Sequence, residues 1–411
     1  MHETTIQKKA VDVSDPVVDV LEEGLTHKVM LVFHVPAQWP AWVMALLAAL
    51  ASGLLGMAWW QLAADLRLGV VVTAVMFIFL LSDMLLLKSL PGQQISFGPW
   101  QSQTVALAVP RLLAALAAGI LTVWLDSRWG LGLFLAVELL GTAALLWGAI
   151  IEPFRLQMNE LMVYSDRLPS GSEPIRLLHI TDLHVERLTQ REENVLALAK
   201  KAKPDLILIT GDYVNLSYNR DPETLAQVRQ LLLRLSAVAE VYATLGSPPV
   251  DLRETVVPVF DGLPVTLMRQ AWQDVDFGDG RHLILLGMDC THHLPTDEAR
   301  LHHLAKDAPH NAPQVLLYHS PELMPEAMEY GLDLYLCGHT HGGQVRLPVI
   351  GPILTSSQLG RQFAMGLYKY GRTHLYVSRG VGLEGLSAPR VRFLCPPEIT
   401  LVTLYAKGGG N

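Results

Sequence analysis

The sequence predicts an α/β domain with largely parallel strands, preceded by four membrane-spanning helices. Two observations support this architecture. The apolar surplus is concentrated between Trp42 and Ile151, whereas the second half of the chain alternates short apolar runs with amphipathic segments. Of the 411 residues, 17% are charged, against about 25% in a typical soluble domain. This deficit argues against a purely soluble protein.

The composition also excludes several functional classes. The net charge of −8 argues against a nucleic-acid-binding protein, whose binding domain should be basic. The three cysteines, Cys290, Cys337 and Cys395, cannot build a disulfide framework. They form no C-x-x-C pair, so a cysteine zinc site is excluded as well.

Four apolar stretches are each long enough to cross a bilayer, which takes about 20 helical residues. They run over Trp42–Leu62, Leu68–Leu87, Ala106–Leu125 and Leu131–Ile151. We therefore predict a transmembrane region at residues 41–151. The polar segment 1–40 precedes it and contains several acidic residues. Because the first span starts too late for an ordinary signal peptide, we expect that span to be retained.

An even number of spans places the N-terminus and the C-terminal half on the same side of the membrane. The short loops on the opposite side offer Arg67 and Arg128. The side with both termini carries more basic residues, namely Lys8, Lys9, Lys28, Lys88, Arg155 and Arg167. The positive-inside rule therefore predicts an inner-membrane, multi-pass protein with a cytoplasmic soluble domain.

Three ionisable residues fall inside the predicted spans. Asp83 and Arg111 lie at similar depth on successive helices. We expect a salt bridge between them, because an unpaired charge at the bilayer centre costs about 2.5–3.5 kcal/mol. Glu138 falls near mid-span without an apparent partner. We interpret it as a protonated or hydrogen-bonded residue between helices.

The second half begins with a predicted linker, residues 152–173, followed by a domain over 174–406 and a flexible tail at 407–411. Asn194–Ala202 and Glu223–Ala237 have the apolar spacing of amphipathic helices. Short continuous apolar runs are typical of strands covered on both faces. The predicted strands are Ile175–Ile180, Leu206–Thr210, Val241–Leu245, His282–Leu286, Val315–Tyr318 and Leu332–Leu336.

Polar residues follow these strands directly, at the edge where open α/β sheets place their ligands. The set comprises Asp182, His184, Asp212, His319, His339 and His341. Asp and His are costly to bury unless they are paired or bound to a metal. Because carboxylates and imidazoles occur together, the set suits Mn, Fe or Zn better than Ca or Mg. The sequence therefore predicts a metal site.

The motifs Asp182-Leu183-His184, Gly211-Asp212, His319 and Gly338-His339-Thr340-His341 resemble those of the calcineurin-like metallophosphoesterase superfamily. The resemblance covers roughly Pro174–Tyr405. The chain is most similar to the membrane-anchored bacterial branch around residues 338–348, 376–382 and 397–401. The resemblance implies a four-layer α/β/β/α sandwich.

The resemblance also implies a site with two divalent metal ions. Carried over by position, the first metal would bind Asp182, His184 and His341, and the second would bind His319 and His339. Asp212 would bridge the two ions and serve as a catalytic residue. Such a pair of ions activates a hydroxide that attacks phosphorus. Arg379, in a glycine-containing loop, would contact the phosphate.

The chain departs from the family at its third motif, where Gly246-Ser247-Pro248 stands in place of Gly-Asn-His. In the family the Asn binds the second metal, and the His protonates the leaving group or contacts the phosphate. Serine is a weak neutral ligand, so we expect a weakened second metal site at Ser247. Proline offers no side-chain donor, and loss of a general acid costs about 10²–10⁴ in rate. Asp251, His292 and His293 are the nearest substitutes, and we interpret them as solvated loop residues.

These observations leave two functions open. The first is a membrane-anchored, metal-dependent phosphoesterase acting on a phosphodiester or pyrophosphate, with reduced activity. The resemblance points to lipid-linked substrates such as a UDP-linked acylated sugar. The alternative is a catalytically degenerate membrane protein that binds metal and phosphate. The six retained ligands favour the enzyme, and Pro248 favours the alternative. In both cases the expected partners are the lipid bilayer and a phosphorylated ligand, not a nucleic acid.

Overall fold

The computed structural model describes residues 25–124 and 126–407. These residues form two compact units. The helical unit contains residues 25–151 together with the segment 384–391. The sheet unit contains residues 152–383 together with 392–407. The predicted polar segment 1–40 and the predicted tail 407–411 fall mostly outside the described residues.

The helical unit contains four long apolar helices. A short helix, α1, precedes them at Leu25–His34, inside the segment predicted to be polar. The long helices are α2 (Ala41–Ala63), α3 (Leu66–Ser89), α4 (Trp100–Leu121) and α5 (Ser127–Leu146). Helix α5 continues as a π-helical turn over Trp147–Ile151. Each of the four is long and apolar enough to cross a membrane, which agrees with the predicted number of spans.

The local sequence explains where two of these helices begin and how closely they pack. Asp65 caps α3 by accepting a hydrogen bond from the backbone N–H of Arg67, and Asp126 caps α5 in the same way. Helices α2 and α3 approach closely at Gly56 and Gly69, where an added Cβ would collide with the facing backbone. Small residues at such crossings are typical of packed membrane helices.

A buried ionic cluster joins α3, α4 and α5. Arg111 Nε lies 2.6 Å from Asp83 Oδ2, and Arg111 Nη1 lies 2.6 Å from Glu138 Oε2. Arg111 Nη2 also donates to Thr142 Oγ1 at 2.9 Å. The predicted Asp83–Arg111 pair is therefore confirmed. The interpretation of Glu138 as a hydrogen-bonded residue between helices is also confirmed, because Arg111 on α4 reaches both carboxylates.

We expect Arg111→Ala to destabilise the helical unit by about 3–5 kcal/mol, the usual cost of removing one partner from a buried ionic cluster. The change leaves two buried carboxylates without their shared counter-ion. The measurement is thermal unfolding of the full chain in detergent. Arg128→Ala is the matched control, because the Arg128–Asp126 pair is exposed and should contribute about 0–1 kcal/mol. Equal stability of the two variants would contradict this account of the cluster.

The sheet unit is built on two six-stranded sheets. In spatial order the first contains β1 (Gln157–Ser165), β14 (Glu398–Ala406), β2 (Ile175–Ile180), β3 (Leu206–Thr210), β4 (Glu240–Thr244) and β5 (Val265–Leu267). The second contains β12 (Gly366–Tyr370), β13 (Thr373–Val377), β9 (Leu334–Cys337), β8 (Gln314–Leu317), β7 (His282–Gly287) and β6 (Ala271–Asp276). A short hairpin pairs β10 (Arg346–Leu347) with β11 (Gly351–Pro352).

The segment 152–173, predicted as a linker, contains strand β1. This strand pairs in parallel with β14 over nine residues, from Gln157 opposite Glu398 to Ser165 opposite Ala406. The linker prediction is corrected accordingly. The physical reason is that β1 lies at the edge of its sheet and is largely exposed on one face, so its sequence lacks the continuous apolar run of a central strand.

Helices cover the outer faces of both sheets and complete the predicted four layers. Leu206 and Leu208 of β3 point into the core between the sheets, and Ile207 and Ile209 point to the opposite face. That opposite face packs against α6 (Gln190–Ala202) and α7 (Pro222–Ser236). A short helix, α8, follows at Arg253–Val256. On the second sheet, α9 (Leu294–Asp307) and α10 (Met324–Glu329) provide the outer layer.

Strand direction determines where the polar loops meet. Strands β2, β3, β4 and β5 are mutually parallel in the first sheet, and β7, β8, β9 and β13 are mutually parallel in the second. Parallel strands bring the loops after their carboxyl ends to the same edge of a sheet. The two edges meet, because His319 Nδ1 in the loop after β8 donates to Thr210 O at the end of β3 at 2.7 Å.

Candidate metal centre

The six predicted ligands all lie on loops that directly follow strands, and all are buried. Asp182 and His184 follow β2, and Asp212 follows β3. On the second sheet, His319 follows β8, and His339 and His341 follow β9. The structure therefore brings the six side chains to one site, although their separate roles as ligands remain predictions.

The first cluster consists of Asp182, His184 and His341, whose candidate ligand atoms all lie within 4.8 Å of one another. His184 Nε2 and His341 Nε2 are 3.1 Å apart. His341 Nε2 lies 3.5 Å from Asp182 Oδ1. One carboxylate and two imidazoles at this spacing form a donor set that suits a first-row transition metal.

The second cluster consists of Asp182, Asp212 and His319. His319 Nε2 lies 3.2 Å from Asp212 Oδ2, and His184 Nε2 lies 3.5 Å from the same oxygen. Asp182 is common to both clusters, and Asp212 of the second cluster also lies close to His184 of the first. The ring of His339 is 5.2 Å from the ring of His319, centre to centre, which places His339 beside the second cluster.

Two of the histidines have one ring nitrogen fixed by a backbone carbonyl. His319 Nδ1 donates to Thr210 O at 2.7 Å, which leaves Nε2 facing Asp212. His339 Nε2 donates to Ser356 O at 3.3 Å, which leaves Nδ1 as its acceptor nitrogen. Metal-binding histidines typically donate their other N–H in this way, because that bond fixes the tautomer and the ring orientation.

The electrostatics of the site also fit bound cations. Burial favours the neutral form of His319, but the carboxylates of Asp212 and Asp182 outweigh burial and raise the pKa of His319 to about 10. Burial raises the pKa of Asp182, with the neighbouring Asp212 carboxylate adding to the effect. The carboxylates thus attract positive charge into a buried site. Divalent cations would supply that charge and release the histidine lone pairs for coordination.

Strained backbone conformations are concentrated at the site. Residues with a side chain rarely adopt positive φ, at a cost of roughly 1–3 kcal/mol each, and such residues cluster at functional sites. Gly338 is required for a related reason, because a Cβ there would overlap the Asp182 carboxylate. Five predicted ligands have positive φ: Asp182 (50°), His184 (41°), Asp212 (55°), His339 (70°) and His341 (50°).

The altered third motif keeps contact with the site through Ser247. The backbone N–H of Ser247 donates to Asp212 Oδ1 at 2.7 Å, and its Oγ lies 3.4 Å from Asp212 Oδ2. Residues 248–250 then form a turn, closed by hydrogen bonds from Val250 N and Asp251 N to Ser247 O. Ser247 therefore lies directly against the carboxylate of Asp212.

Asp251 is buried, and its interpretation as a solvated loop residue is wrong. Its carboxylate accepts backbone hydrogen bonds from Asp212 at 2.8 Å, Gly246 at 2.8 Å and Tyr213 at 2.9 Å. Burial and the nearby Asp212 charge raise the pKa of Asp251 to about 6. Asp251 thus fixes the two loops that carry Asp212 and Ser247. In the sequence, the feature that could have indicated this role is an acidic residue that follows two adjacent prolines closely.

His292 is also buried rather than solvated. Its Nε2 lies 3.2 Å from Ser247 Oγ, and its ring lies 4.6 Å from the ring of His339, centre to centre. The neighbouring His293 is half-buried and interacts instead with Thr296, with 2.7 Å between its Nδ1 and Thr296 Oγ1. Two adjacent histidines thus have different environments, which the sequence alone did not distinguish.

The guanidinium of Arg379 is engaged by neighbouring side chains. It forms an ion pair with Glu398 and donates to Gln157 Oε1 at 3.2 Å. Its predicted contact with phosphate remains a prediction. Arg392 is fully buried, and its Nη2 donates to the carbonyls of Arg379 and Gly382 at 2.8 and 2.7 Å. Arg392 therefore supports the loop that holds Arg379.

Comparison with known proteins identifies similar sequences over this part of the chain. The profile of the calcineurin-like phosphoesterase family matches residues 175–343. A metallophosphoesterase of Bacillus subtilis, YkuE, is 30% identical over 262 residues, which cover 62% of this chain and 87% of YkuE.

Two further relatives have names that describe an activity. The phosphodiesterase YaeI of Escherichia coli is 30% identical over 265 residues, which cover 61% of this chain and 88% of YaeI. LpxG of Chlamydia trachomatis, a UDP-2,3-diacylglucosamine pyrophosphatase, is 23% identical over 310 residues. Those residues cover 62% of this chain and 91% of LpxG.

Proposed function

The chain belongs to the calcineurin-like metallophosphoesterase family of phosphoester hydrolases, and we propose that it hydrolyses a phosphodiester or pyrophosphate bond in an amphipathic, lipid-linked substrate at the membrane. The observation that carries the proposal is the pair of buried ligand clusters, which share Asp182 and meet at Asp212. Four helices in the same chain are long and apolar enough to cross a membrane, which supports a membrane-associated substrate.

The roles that we propose combine the two clusters with the ligand pattern of the family. When bound, two divalent cations (Mn, Fe or Zn) would supply the positive charge that stabilises the phosphoryl group as it reacts. Asp182, His184 and His341 would hold the first cation, and His319 and His339 the second. Asp212 would hold both at a fixed spacing, because Ser247 N and the Asp251-supported loop orient its carboxylate.

An exposed apolar hairpin supports the choice of an amphipathic substrate. We define it as residues 345–354, which begin four residues after the ligand His341. Val349 at its tip is fully exposed, and Ile350 and Leu354 are 59% and 65% exposed. Contiguous apolar surface of this kind marks a binding region for lipid or protein. Next to a phosphoesterase site, it fits the acyl chains or bilayer that accompany a lipid-linked phosphate.

The substrate proposal is tested by separating hydrolysis from lipid contact. The triple variant Val349→Ser, Ile350→Ser, Leu354→Ser is expected to lower kcat/KM about tenfold or more for a UDP-linked diacylated sugar in vesicles. A water-soluble phosphodiester should be hydrolysed at an unchanged rate. The reason is that burial of each apolar side chain contributes roughly 1.5–3 kcal/mol, and about 1.4 kcal/mol is a factor of ten.

The control for the hairpin variant is Leu233→Ser, which removes a half-exposed leucine from α7 and should leave both activities unchanged. An equal loss for both substrates in the hairpin variant would contradict a lipid-contacting role. Full activity on the diacylated sugar would contradict it as well.

We further propose that the sheet unit lies in the cytoplasm. The support is the basic residues that flank the helices on the side shared by both termini, namely Lys28, Lys88, Arg155 and Arg167 among the described residues. A green fluorescent protein fused after residue 411 is expected to fluoresce, because that reporter folds on the cytoplasmic side. An alkaline phosphatase fusion at the same point is expected to be inactive. Active phosphatase with a dark fluorescent fusion would reverse the assigned orientation.

A further inference from the structure

His292 lies against the second ligand cluster, although the family motifs give this position no role. It follows strand β7 and immediately precedes His293 and helix α9. Its side chain is buried, with 4% of the residue exposed. A buried histidine at the end of a strand that points to the metal centre requires a physical explanation.

His292 contacts two residues beside the second cluster, Ser247 and His339. Its Nε2 lies 3.2 Å from Ser247 Oγ, and that oxygen lies 3.4 Å from Asp212 Oδ2. The His292 ring is tilted against the ring of His339, with 4.6 Å between their centres, and the His339 ring is in turn 5.2 Å from the ring of His319. Ser247 Oγ therefore lies between the His292 ring and the carboxylate of Asp212, and the His292 ring lies beside that of His339.

The backbone of His292 shares a property with the predicted ligands. Its φ is +57°, in the same left-handed region as five of the six. This strain is offset by fixed contacts, since Gln358 donates to the carbonyl of His292 at 3.3 Å. The ring is held as well, with Nδ1 3.6 Å from Cys290 Sγ. His293, the adjacent residue, has neither positive φ nor a contact with the cluster among the described residues.

We propose that His292 is a ligand of the second metal and takes the place that the family gives to the Asn of Gly-Asn-His. The proposal rests on the two-metal function proposed above. The short Ser247 side chain leaves room for an imidazole to enter from the neighbouring sheet. His292 then supplies the ligand that Ser247 does not, and the second metal keeps its full number of ligands.

A competing assignment is that Ser247 Oγ binds the metal and His292 only donates a hydrogen bond to it. In our proposal the second metal requires the His292 side chain, and in the competing assignment it requires the Ser247 side chain. Under our proposal, Ser247→Ala keeps both metals and His292→Ala loses the second. Under the competing assignment, Ser247→Ala loses the second metal. The metal content of the two variants therefore decides between them.

The experiment is a Mn²⁺ titration of the full-length protein in detergent, with bound metal counted by elemental mass spectrometry. Removal of an outer hydrogen-bond partner of a metal ligand already costs about 10–100-fold in affinity. We therefore expect His292→Ala to raise the dissociation constant of the second Mn²⁺ by at least about 100-fold, while the first ion stays bound. His293→Ala is the matched control and should bind two ions like the wild type.

A rescue variant makes the test independent of folding defects in His292→Ala. The double variant Ser247→Asn, His292→Ala restores the family's ligand and is expected to recover the second Mn²⁺. Unchanged binding of two ions by folded His292→Ala would overturn the proposal, as would a lost second ion in Ser247→Ala. If His292→Ala does not fold, the double variant Ser247→Asn, His292→Ala decides. A folded double variant that does not bind the second ion would overturn the proposal. Absence of both ions from the wild type would instead contradict the proposed function.

Discussion

Asp212→Ala is expected to reduce hydrolysis of a soluble phosphodiester by roughly three powers of ten or more. The two ligand clusters meet at this carboxylate, which lies 3.2 Å from His319 Nε2 and 3.5 Å from His184 Nε2. Its removal takes a shared ligand from both predicted ions. The metal pair contributes several kcal/mol to transition-state stabilisation, and each 1.36 kcal/mol is tenfold in rate. The measurement is kcat/KM with saturating Mn²⁺, together with the number of ions bound.

Two comparisons make this result specific to the bridging position. Asp261→Ala removes an exposed carboxylate and should leave both activity and metal content at wild-type values. His184→Ala should weaken the first ion selectively, because its ring faces His341 in the first cluster. If Asp212→Ala kept more than about a tenth of wild-type activity, Asp212 would not be the bridging ligand.

The second large effect is a gain of activity. Pro248→His is expected to raise turnover by about 10²-fold or more, because general acid–base catalysis typically contributes 10²–10⁴. Pro248 follows Ser247 directly, and the Ser247 backbone N–H donates to Asp212. The neighbouring Pro249 is retained, so loss of one proline should cost only about 0.4–1 kcal/mol of stability.

The identity of the leaving group provides the internal control for this gain. Protonation assists an alkoxide leaving group much more than p-nitrophenolate, which leaves readily as an anion. The gain should therefore be large for an alkyl phosphodiester and small for bis(p-nitrophenyl) phosphate. An equal gain for both substrates would point to a change in substrate binding. No gain in a folded variant with two metals would show that position 248 does not limit the rate.

Much of the sheet unit could be predicted because its central strands are short and fully buried. The run Leu206–Thr210 coincides with β3, and Ile175–Ile180 coincides with β2. The polar residue after each run marks where the strand ends. The pairing of β1 with β14 could not be predicted, because it joins residues more than 200 positions apart, and the half-exposed sequence of β1 resembles that of a loop.

The errors at the site share one physical cause. Asp251 and His292 were each judged from neighbouring residues along the chain, whereas their partners come from distant segments. The burial of Asp251 depends on the turn that brings it back to Asp212. Conversely, the six predicted ligands lie together in the structure because each one follows a strand. The position of Arg379 beside Glu398 likewise depends on packing that a linear motif does not encode.

The central claim is that this chain is a two-metal phosphoesterase despite its altered third motif. The most direct test is the metal content of the purified full-length protein in Mn²⁺, measured together with hydrolysis of bis(p-nitrophenyl) phosphate on the same sample. We predict two ions per chain and a turnover that disappears on chelation and returns when Mn²⁺ is restored. One ion or none, without metal-dependent turnover, would contradict the claim and favour a degenerate metal- and phosphate-binding membrane protein.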